Sequence, residues 1–156
     1  MDSIDRNILV ALQENGAAGL AELAKVAGLS VSATAERVKR LEERGAIRGW
    51  RADLDPAAVG CPQLGFVLVT LQPGKDEAPL RRALRKMDEV LEVHGISGPW
   101  SLLVKLRAAN LAAFETLVEE TFRAQPAVAR IETILALSTA KETAMLPVAP
   151  ATEEED

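Results

Sequence analysis

Residues 20–45 read LAELAKVAGLSVSATAERVKRLEERG, and this stretch decides the fold of the first part of the chain. Apolar residues recur at helical spacing on both sides of the tripeptide Gly28-Leu29-Ser30. Glycine suits a left-handed helix end and serine suits a helix N-cap, so Gly28 and Ser30 predict that one helix ends where the next begins. Two helices joined by so tight a turn are typical of a helix-turn-helix.

The outer arc of the second helix and the residues after it are rich in positive charge. Between Arg37 and Arg51, six basic residues stand against two acidic ones, although the whole chain carries a net charge of −5. Local positive charge is what phosphate contact needs, and a helix with a basic outer face can enter a major groove of DNA. The candidate DNA contacts are Ser32, Thr34, Arg37, Lys39, Arg40, Arg48 and Arg51. The two hydroxyl residues offer lighter contacts near the start of the helix.

The position of each basic candidate suggests a role. Arg37 and Arg40 lie one turn apart on the outer arc and are candidates for base edges or phosphates. Arg48 and Arg51 are candidates for phosphate contact alone. Glu36 stands among them, and a carboxylate near phosphates is unfavourable unless it is paired or accepts from a cytosine. We expect an ion pair between Glu36 and Arg40, four positions later.

The segments that flank this motif complete the first domain. Residues before the motif indicate a preceding helix with an apolar stripe, formed by Ile4, Ile8, Leu9 and Leu12. After the motif, residues 46–54 are predicted to be a short extended segment or wing, in which Trp50 packs against the helix-turn-helix. We therefore expect a winged helix-turn-helix, DNA-binding domain over residues 1–55 and a linker over residues 56–62.

The second half of the chain changes its period. Residues 64–71 (LGFVLVTL) form a β-type run that is apolar on both faces. The pattern after it predicts helices over 76–88 and 110–124 and strands over 90–96, 102–106 and 129–137. The order βαββαβ is that of a ferredoxin-like domain, a four-stranded antiparallel sheet with both helices on one face. The predicted fold class is α+β, with this domain over residues 63–142.

One face of such a sheet is left without helices. Because the first strand is apolar on both faces, a single chain would expose a larger apolar patch than monomers usually tolerate. We therefore expect the bare face to pack against a second copy, which makes the protein a homodimer.

The composition argues against several classes of protein. Cys61 is the single cysteine and His94 the single histidine, so a disulfide framework and a Cys/His metal cluster are not expected. Cys61 is interpreted as a small buried hydrophobe, and His94 as a packed or surface residue. No nucleophile–base spacing or Gly-rich phosphate loop is present, so we expect no catalytic residues, no metal and no cofactor. The start of the chain lacks the layout of a signal peptide and no apolar run could span a membrane, which favours the cytoplasm. Residues 143–156 are expected to be an acidic, frayed tail.

The order and spacing of these motifs resemble the Lrp/AsnC family, the feast/famine regulators of bacteria and archaea. The matching motifs are Ile4-Asp5-Arg6, Ile8-Leu9, Leu12 to Gly16, Glu22-Leu23-Ala24, Gly28-Leu29-Ser30, Arg37-Val38, Arg40-Leu41-Glu42, Gly45-Ala46-Ile47, Gly49-Trp50 and Leu54-Asp55-Pro56. Further on, Gly98-Pro99-Trp100 resembles the family's Gly-x-Tyr-Asp turn.

The resemblance implies properties that the spacing does not show. Proteins similar to this one form dimers that assemble into octamers or related rings, and they bind small effectors, usually amino acids, near the turn between the second and third strands. The implied effector site here is Gly98, Pro99, Trp100 and Ser101. Ser101 replaces the family's acidic residue and Trp100 is bulkier than the usual tyrosine, so the identity of the effector stays open.

Two further functions remain open beside a DNA-binding, effector-responsive regulator of transcription. One is an enzyme similar to the sirohaem decarboxylases, which keep a related two-domain layout. Such an enzyme would need basic and histidine side chains around a large pocket, and the single histidine of this chain argues against it. The other is a nucleoid-type DNA binder that needs no effector.

Overall fold

The computed structural model describes residues 1–148 and confirms the predicted α+β fold class, with a helix-turn-helix followed by an antiparallel four-stranded sheet with helices. The chain forms two compact units, one of residues 1–53 with the described chain from Glu142 onward, the other of Leu54–Lys141. The elements are α1 (Ser3–Glu14), α2 (Leu20–Ala27), α3 (Val31–Glu43), β1 (Gln63–Leu71), α4 (Ala78–Leu84), β2 (Val90–Gly95), β3 (Leu102–Ala108), α5 (Leu111–Val118) and β4 (Val128–Leu135).

Local capping defines the helix-turn-helix as predicted. Gly28 ends α2 with φ of 66°, a left-handed conformation that favours glycine. Ser30 then begins α3, and its hydroxyl accepts a hydrogen bond from the main-chain N–H of Ala33 at 3.2 Å. The three helices enclose one apolar cluster, whose buried members are Ile8, Leu12, Leu23, Ala27 and Leu41.

A partly buried set of ion pairs links α3 to the start of α1. One guanidinium nitrogen of Arg37, Nη1, lies 2.6 Å from a carboxylate oxygen of Asp2 and 2.8 Å from one of Asp5. Asp2 is also the N-cap of α1 and accepts the main-chain N–H of Asp5 at 2.8 Å. The side chain of Asp5 is only 12 % exposed, so Arg37 supplies the positive charge that this carboxylate needs.

Three details of this unit differ from the sequence prediction. Leu20 stands at an apolar position of the helical spacing in residues 20–45, but it is 41 % exposed because it is the first residue of α2. Residues 46–54 form no strand with any described residue of this chain, since a strand needs a partner ladder. Trp50 contacts the helix-turn-helix as predicted, through its indole N–H, which donates to Glu42 of α3 at 3.0 Å, but the residue is 49 % exposed and is not part of the apolar cluster.

The sheet has the order β2-β3-β1-β4, and its paired strands are antiparallel. Alternate residues of the two central strands face helices α4 and α5 and build the second core. Its fully buried members include Val67, Val69, Leu80, Leu84, Leu102, Val104, Leu106 and Phe122. This arrangement is the ferredoxin-like one, with both helices on one face.

Helix α5 lies unusually close to β1 at one point. A Cβ atom added to Gly65 would stand 2.4 Å from the ring of Phe114, so the absence of a side chain lets the ring settle on the strand. The helix predicted over 110–124 ends at Val118 and continues as a single π-helical turn, Glu119–Arg123. Leu111 is 56 % exposed because it is the first residue of α5.

The other face of the sheet carries apolar side chains surrounded by charged ones. Phe66 and Leu68 of β1 are half-buried, and Leu68 is in register with Leu103 of β3 and Glu132 of β4. Ile134, opposite Phe66, is 44 % exposed. No described helix covers these residues, so the bare face that the sequence predicts is present.

The segment after the second unit returns to the first one. The side-chain amide of Gln13 donates to the carbonyl oxygen of Leu146 at 2.9 Å, and its carbonyl accepts the N–H of Leu146 at 2.6 Å. Part of the tail predicted to be frayed is therefore held on α1. Residues 149–156 of that prediction lie outside the described residues.

The stability of the first unit should depend on the ionisation of Asp2. The main-chain hydrogen bond from Asp5 and then the Arg37 guanidinium keep the pKa of the Asp2 carboxyl below its usual value of 3.8. A depressed carboxyl pKa contributes stability that is complete above the unfolded-state pKa and is lost as the pH falls through the folded-state pKa. We expect Asp2→Asn, which keeps the cap, to be less stable than the native chain at pH 7, and the difference to shrink as the pH falls below 3.8.

Urea unfolding checks this in a Trp100→Phe background, where fluorescence reports Trp50 in the first unit alone. Asp53→Asn, a change of the same kind at an exposed carboxylate, serves as the control. A stability difference between Asp2→Asn and the native chain that stays constant from pH 7 to pH 3 would contradict the assigned role.

Candidate nucleic-acid and effector sites

Helix α3 positions the predicted recognition residues, but it does not leave them all free. Arg37 is only 29 % exposed and is engaged by Asp2 and Asp5. The prediction that Arg37 reads base edges is therefore not supported by its contacts, because two carboxylates from α1 already neutralise and hold its guanidinium. The helical spacing could not reveal these partners, which lie 35 and 32 positions earlier in the chain.

Arg40 and Lys39 remain available on the outer surface of α3. Arg40 Nε lies 3.2 Å from Glu36, which confirms the expected ion pair, and Lys39 Nζ lies 3.7 Å from Glu43. The four side chains are between 56 % and 68 % exposed. Exposed pairs of this kind contribute little to stability, so phosphate groups can take the place of the carboxylates at small cost.

The two hydroxyl candidates have different surroundings. Thr34 is fully buried and its hydroxyl donates to the carbonyl of Ser30 at 2.9 Å. The prediction that Thr34 contacts DNA is wrong, because its position on the helix faces α1 and α2 and not the solvent. Ser32 is exposed at the start of α3, 3.1 Å from the hydroxyl of Ser30, and can reach an external group.

The residues after α3 add unpaired positive charge. Arg48 and Arg51 are exposed and form no ion pair with any residue from 1 to 148. Arg44, the residue that follows α3, is exposed and equally unpaired, although the sequence interpretation did not single it out. The sequence feature that could have indicated Arg44 is its position among the six basic residues between Arg37 and Arg51. Arg40, Arg44 and Arg48 recur every fourth residue along this surface.

The turn before β3 is tied to β1 by hydrogen bonds between side chains and the main chain. Gly98 has φ of 103°, which requires glycine. The carbonyl of Pro99 accepts from the Thr70 hydroxyl at 3.3 Å, and the Ser101 hydroxyl accepts the N–H of Leu71 at 3.1 Å. Ser101 thus binds the main chain of β1 at the point where the register of β1 against β4 shifts, between Thr70 and Leu71. The hydroxyl oxygen of Ser101 therefore already accepts a hydrogen bond from the main chain.

Trp100 brings a cation to this turn. The guanidinium carbon of Arg130 lies 4.5 Å from the centre of a Trp100 ring, a cation–π contact. Arg130 also lies 3.5 Å from Glu132, and both of these charged side chains are exposed. The turn therefore offers an aromatic surface, a guanidinium and a carboxylate to a small molecule.

A groove of this unit lies away from the turn. A groove of about 310 Å³ runs between α5 and β4, and Leu111, Phe114, Glu115, Val118, Glu119, Arg123, Thr133 and Leu135 line it. Thr133 and Leu135 pair with Val67 and Gly65, towards the end of β1 away from the turn at 98–101. The four turn residues are not among its walls, so this groove does not support the predicted effector site.

The remaining reactive side chains form small surface networks. His94 Nε2 lies 2.9 Å from Glu92, which also pairs with Lys105 at 3.3 Å. The hydrogen bond from His94 and then the Lys105 ammonium lower the pKa of the Glu92 carboxyl. The carbonyl of Cys61 accepts from Arg107 at 3.4 Å.

Within the described part of the chain there is no group of three or more His, Cys, Asp or Glu residues that could hold a metal ion. The same part of the chain contains no helix that is long and apolar enough to span a membrane.

Comparison with known proteins covers both units. A family model of the AsnC-type helix-turn-helix domain matches residues 1–42, and a model of the Lrp/AsnC ligand binding domain matches residues 64–146. The HTH-type transcriptional regulator FL11 of Pyrococcus abyssi is 36 % identical over 148 residues, 95 % of this chain and 97 % of that protein. The leucine-responsive regulatory protein of Escherichia coli K12 is 35 % identical over 150 residues, 95 % of this chain and 92 % of that protein.

Solved structures agree. A transcriptional regulator of Neisseria meningitidis in complex with L-Met has a TM-score of 0.88 and 31 % identity, with coverage of 94 % of this chain and 96 % of that one. Escherichia coli AsnC has a TM-score of 0.85 and 28 % identity, with coverage of 94 % and 99 %. The named relatives are regulators and not enzymes, which removes the decarboxylase reading. The chain belongs to the Lrp/AsnC family of transcriptional regulators, with an AsnC-type helix-turn-helix and an Lrp/AsnC ligand-binding domain.

Proposed function

We propose that this chain is a sequence-specific DNA-binding regulator that acts as a dimer and responds to a small effector. The observation that carries the proposal is a group of exposed cations on α3 and in the residues directly after it, at the end of a capped helix-turn-helix. A dimer places two such helices in successive major grooves. The cytoplasmic location expected from the sequence belongs to the same proposal.

The contacts divide the basic residues into two groups. Lys39, Arg40, Arg48 and Arg51, with Arg44 added, have weak partners or none and are proposed to contact DNA, Ser32 with them. Arg37 is proposed to hold α3 against α1, since its guanidinium forms ion pairs with two carboxylates there.

Substitution of Arg40 should separate these roles. We expect Arg40→Gln to weaken binding to a duplex selected from a random library by about 1–3 kcal/mol, roughly 5- to 150-fold, without loss of stability. Arg37→Gln should instead lower the melting temperature of the first unit. Fluorescence anisotropy at fixed salt measures the first effect, and thermal denaturation measures the second.

The matched control is Arg123→Gln, because Arg123 pairs with Glu119 at 3.1 Å in the same i, i+4 geometry but lies in the second unit. Equal DNA affinity of Arg40→Gln and the native chain would defeat the assignment of Arg40.

The bare face of the sheet supports the dimer. Phe66, Leu68, Leu103 and Ile134 form its apolar centre, and Glu92, His94, Lys105, Arg130 and Glu132 surround them. An apolar centre with a mixed-charge rim is the composition of a protein interface. We propose that a second copy covers this face. Further assembly to an octamer or a related ring stays part of the proposal.

A charge placed in that apolar centre should prevent pairing. We expect Leu68→Glu to sediment as a folded monomer, since Leu68 is half-buried and a carboxylate there would be desolvated only in the dimer. Leu137→Glu, at a position 97 % exposed beyond β4, is the control and should leave the sedimentation coefficient unchanged. A dimer of Leu68→Glu with native affinity would place the interface on another surface.

The turn of Gly98, Pro99, Trp100 and Ser101 is proposed as the effector site, with an amino acid or a related metabolite as its ligand. The family match to a ligand-binding domain and the L-Met complex of the Neisseria meningitidis regulator support this. Trp100 and Arg130 offer the ring and the cation that such a ligand can use.

A thermal-shift panel of amino acids and 2-oxo acids tests the site. A ligand present at 100 times its Kd should stabilise the protein by about 2.7 kcal/mol. Trp100→Ala should abolish the shift, whereas Trp50→Phe in the first unit should keep it. If no compound stabilises the native chain, the alternative of an effector-independent, nucleoid-type DNA binder is favoured.

A further inference from the structure

Helix α4 and the turn after it present a row of cations that the chain itself does not neutralise. Arg82, Arg85 and Lys86 are exposed, and none has an ion-pair or hydrogen-bond partner for its charged group within residues 1–148. The other cations from α4 to β4 are engaged: Arg81 with Glu77, Lys105 with Glu92, Arg107 with two main-chain carbonyls, Arg123 with Glu119 and Arg130 with Glu132.

The row has a defined geometry. Arg82 lies in α4, three positions before Arg85, which caps the helix with its N–H on the carbonyl of Arg81 at 3.2 Å. Lys86 follows in the turn, where its N–H donates to the carbonyl of Ala83 at 3.0 Å. Leu80 and Leu84 on the inner face are fully buried and hold the row in place.

Two ordinary explanations account for only part of this row. Cations near a helix C-terminus complement the helix dipole, but that effect is small and screened by salt at an exposed site, and it gives the charged groups no direct partner. Solvated surface charge is common, yet this chain carries a net charge of −5 and pairs most of the neighbouring cations. Asp88 and Glu89 follow closely in the chain and form no ion pair with the row.

We infer that Arg82, Arg85 and Lys86 contact the phosphate backbone of DNA outside the segment read by α3. The inference rests on the proposed DNA-binding function and extends it to the second unit. Phosphates neutralise such a row without any base readout, and arginine forms paired hydrogen bonds with phosphate oxygens. The contact adds affinity for longer DNA and no sequence preference.

A second copy of the chain is the competing partner, since Glu115 and Glu120 near the end of α5 are exposed and unpaired in the described structure. Glu119 between them already pairs with Arg123, which reduces the acidic charge there. DNA is favoured because the proposed function already brings this polyanion to the chain, and arginine-rich rows suit phosphate.

The test compares the salt dependence of binding to two duplexes. One contains only the selected site, and the other adds about 20 base pairs, two helical turns, on each side. Each phosphate contact contributes a slope of about 0.9 to log K against log salt concentration, so the native chain should show a steeper slope, by about 2–3 per protomer, on the long duplex.

The variant Arg82→Gln/Arg85→Gln should lower the slope on the long duplex by about 2 per protomer and leave the short duplex unaffected. Glutamine retains helix propensity, so the fold should persist. The control Arg123→Gln/Lys141→Gln removes the same two charges from exposed positions elsewhere in the unit and should change neither slope by as much. If the double variant does not fold, Lys86→Gln alone should lower the long-duplex slope by about 1.

Three results would overturn the inference. The first is an equal slope for the native chain on both duplexes, and the second is an equal loss in the test and control variants. The third is a change of sedimentation coefficient without DNA in Arg82→Gln/Arg85→Gln with unchanged slopes, which would assign the row to contact between copies. Failure of the native chain to bind the short duplex would instead reject the proposed function itself.

Discussion

Helices α4 and α5 must share one face of the sheet, and this packing constraint governs the whole second unit. The ring of Phe114 lies over Gly65, where any side chain would collide with it, and Leu80 and Leu84 of α4 are fully buried on the same face. The sheet therefore has one dry face and one face with half-buried apolar residues. The bare face that supports the proposed dimer is a direct consequence.

The same constraint sorts the charged residues of that unit. Because the inner side of α4 is anchored, its outer side holds Arg82 and Arg85 at a fixed spacing in the solvent. Most other cations of the unit are engaged by neighbouring groups, namely Arg81, Lys105, Arg107, Arg123 and Arg130. An acidic chain can in this way keep local cationic surfaces, one after α3 and one on α4, because phosphate contact depends on local and not on net charge.

Much of the fold could be predicted because its determinants are local. The caps at Gly28 and Ser30, the helical spacing of α1 and α3 and the order βαββαβ all follow from residues within one or two turns of each other. The Glu36–Arg40 pair was predictable for the same reason. Helix ends were less accurate: α4 is shorter than expected, and α5 passes into a π turn, since packing and not propensity ends these helices.

The sequence alone determined the family, the two kinds of domain and the basic character of the surface around α3, because these depend on periodicity, capping and composition. Only the tertiary structure decided which of the basic residues are free. Arg37 looks like its neighbours in the sequence, yet Asp2 and Asp5 reach it from α1 after a separation of more than 30 residues. Thr34 is hidden by the same packing of helices, and Arg82, Arg85 and Lys86 stand out only when the partners of the other cations are known. Local spacing encodes the i, i+4 pairs such as Glu36–Arg40, but only the packing of α3 against the start of α1 assigns Arg37 to Asp2 and Asp5.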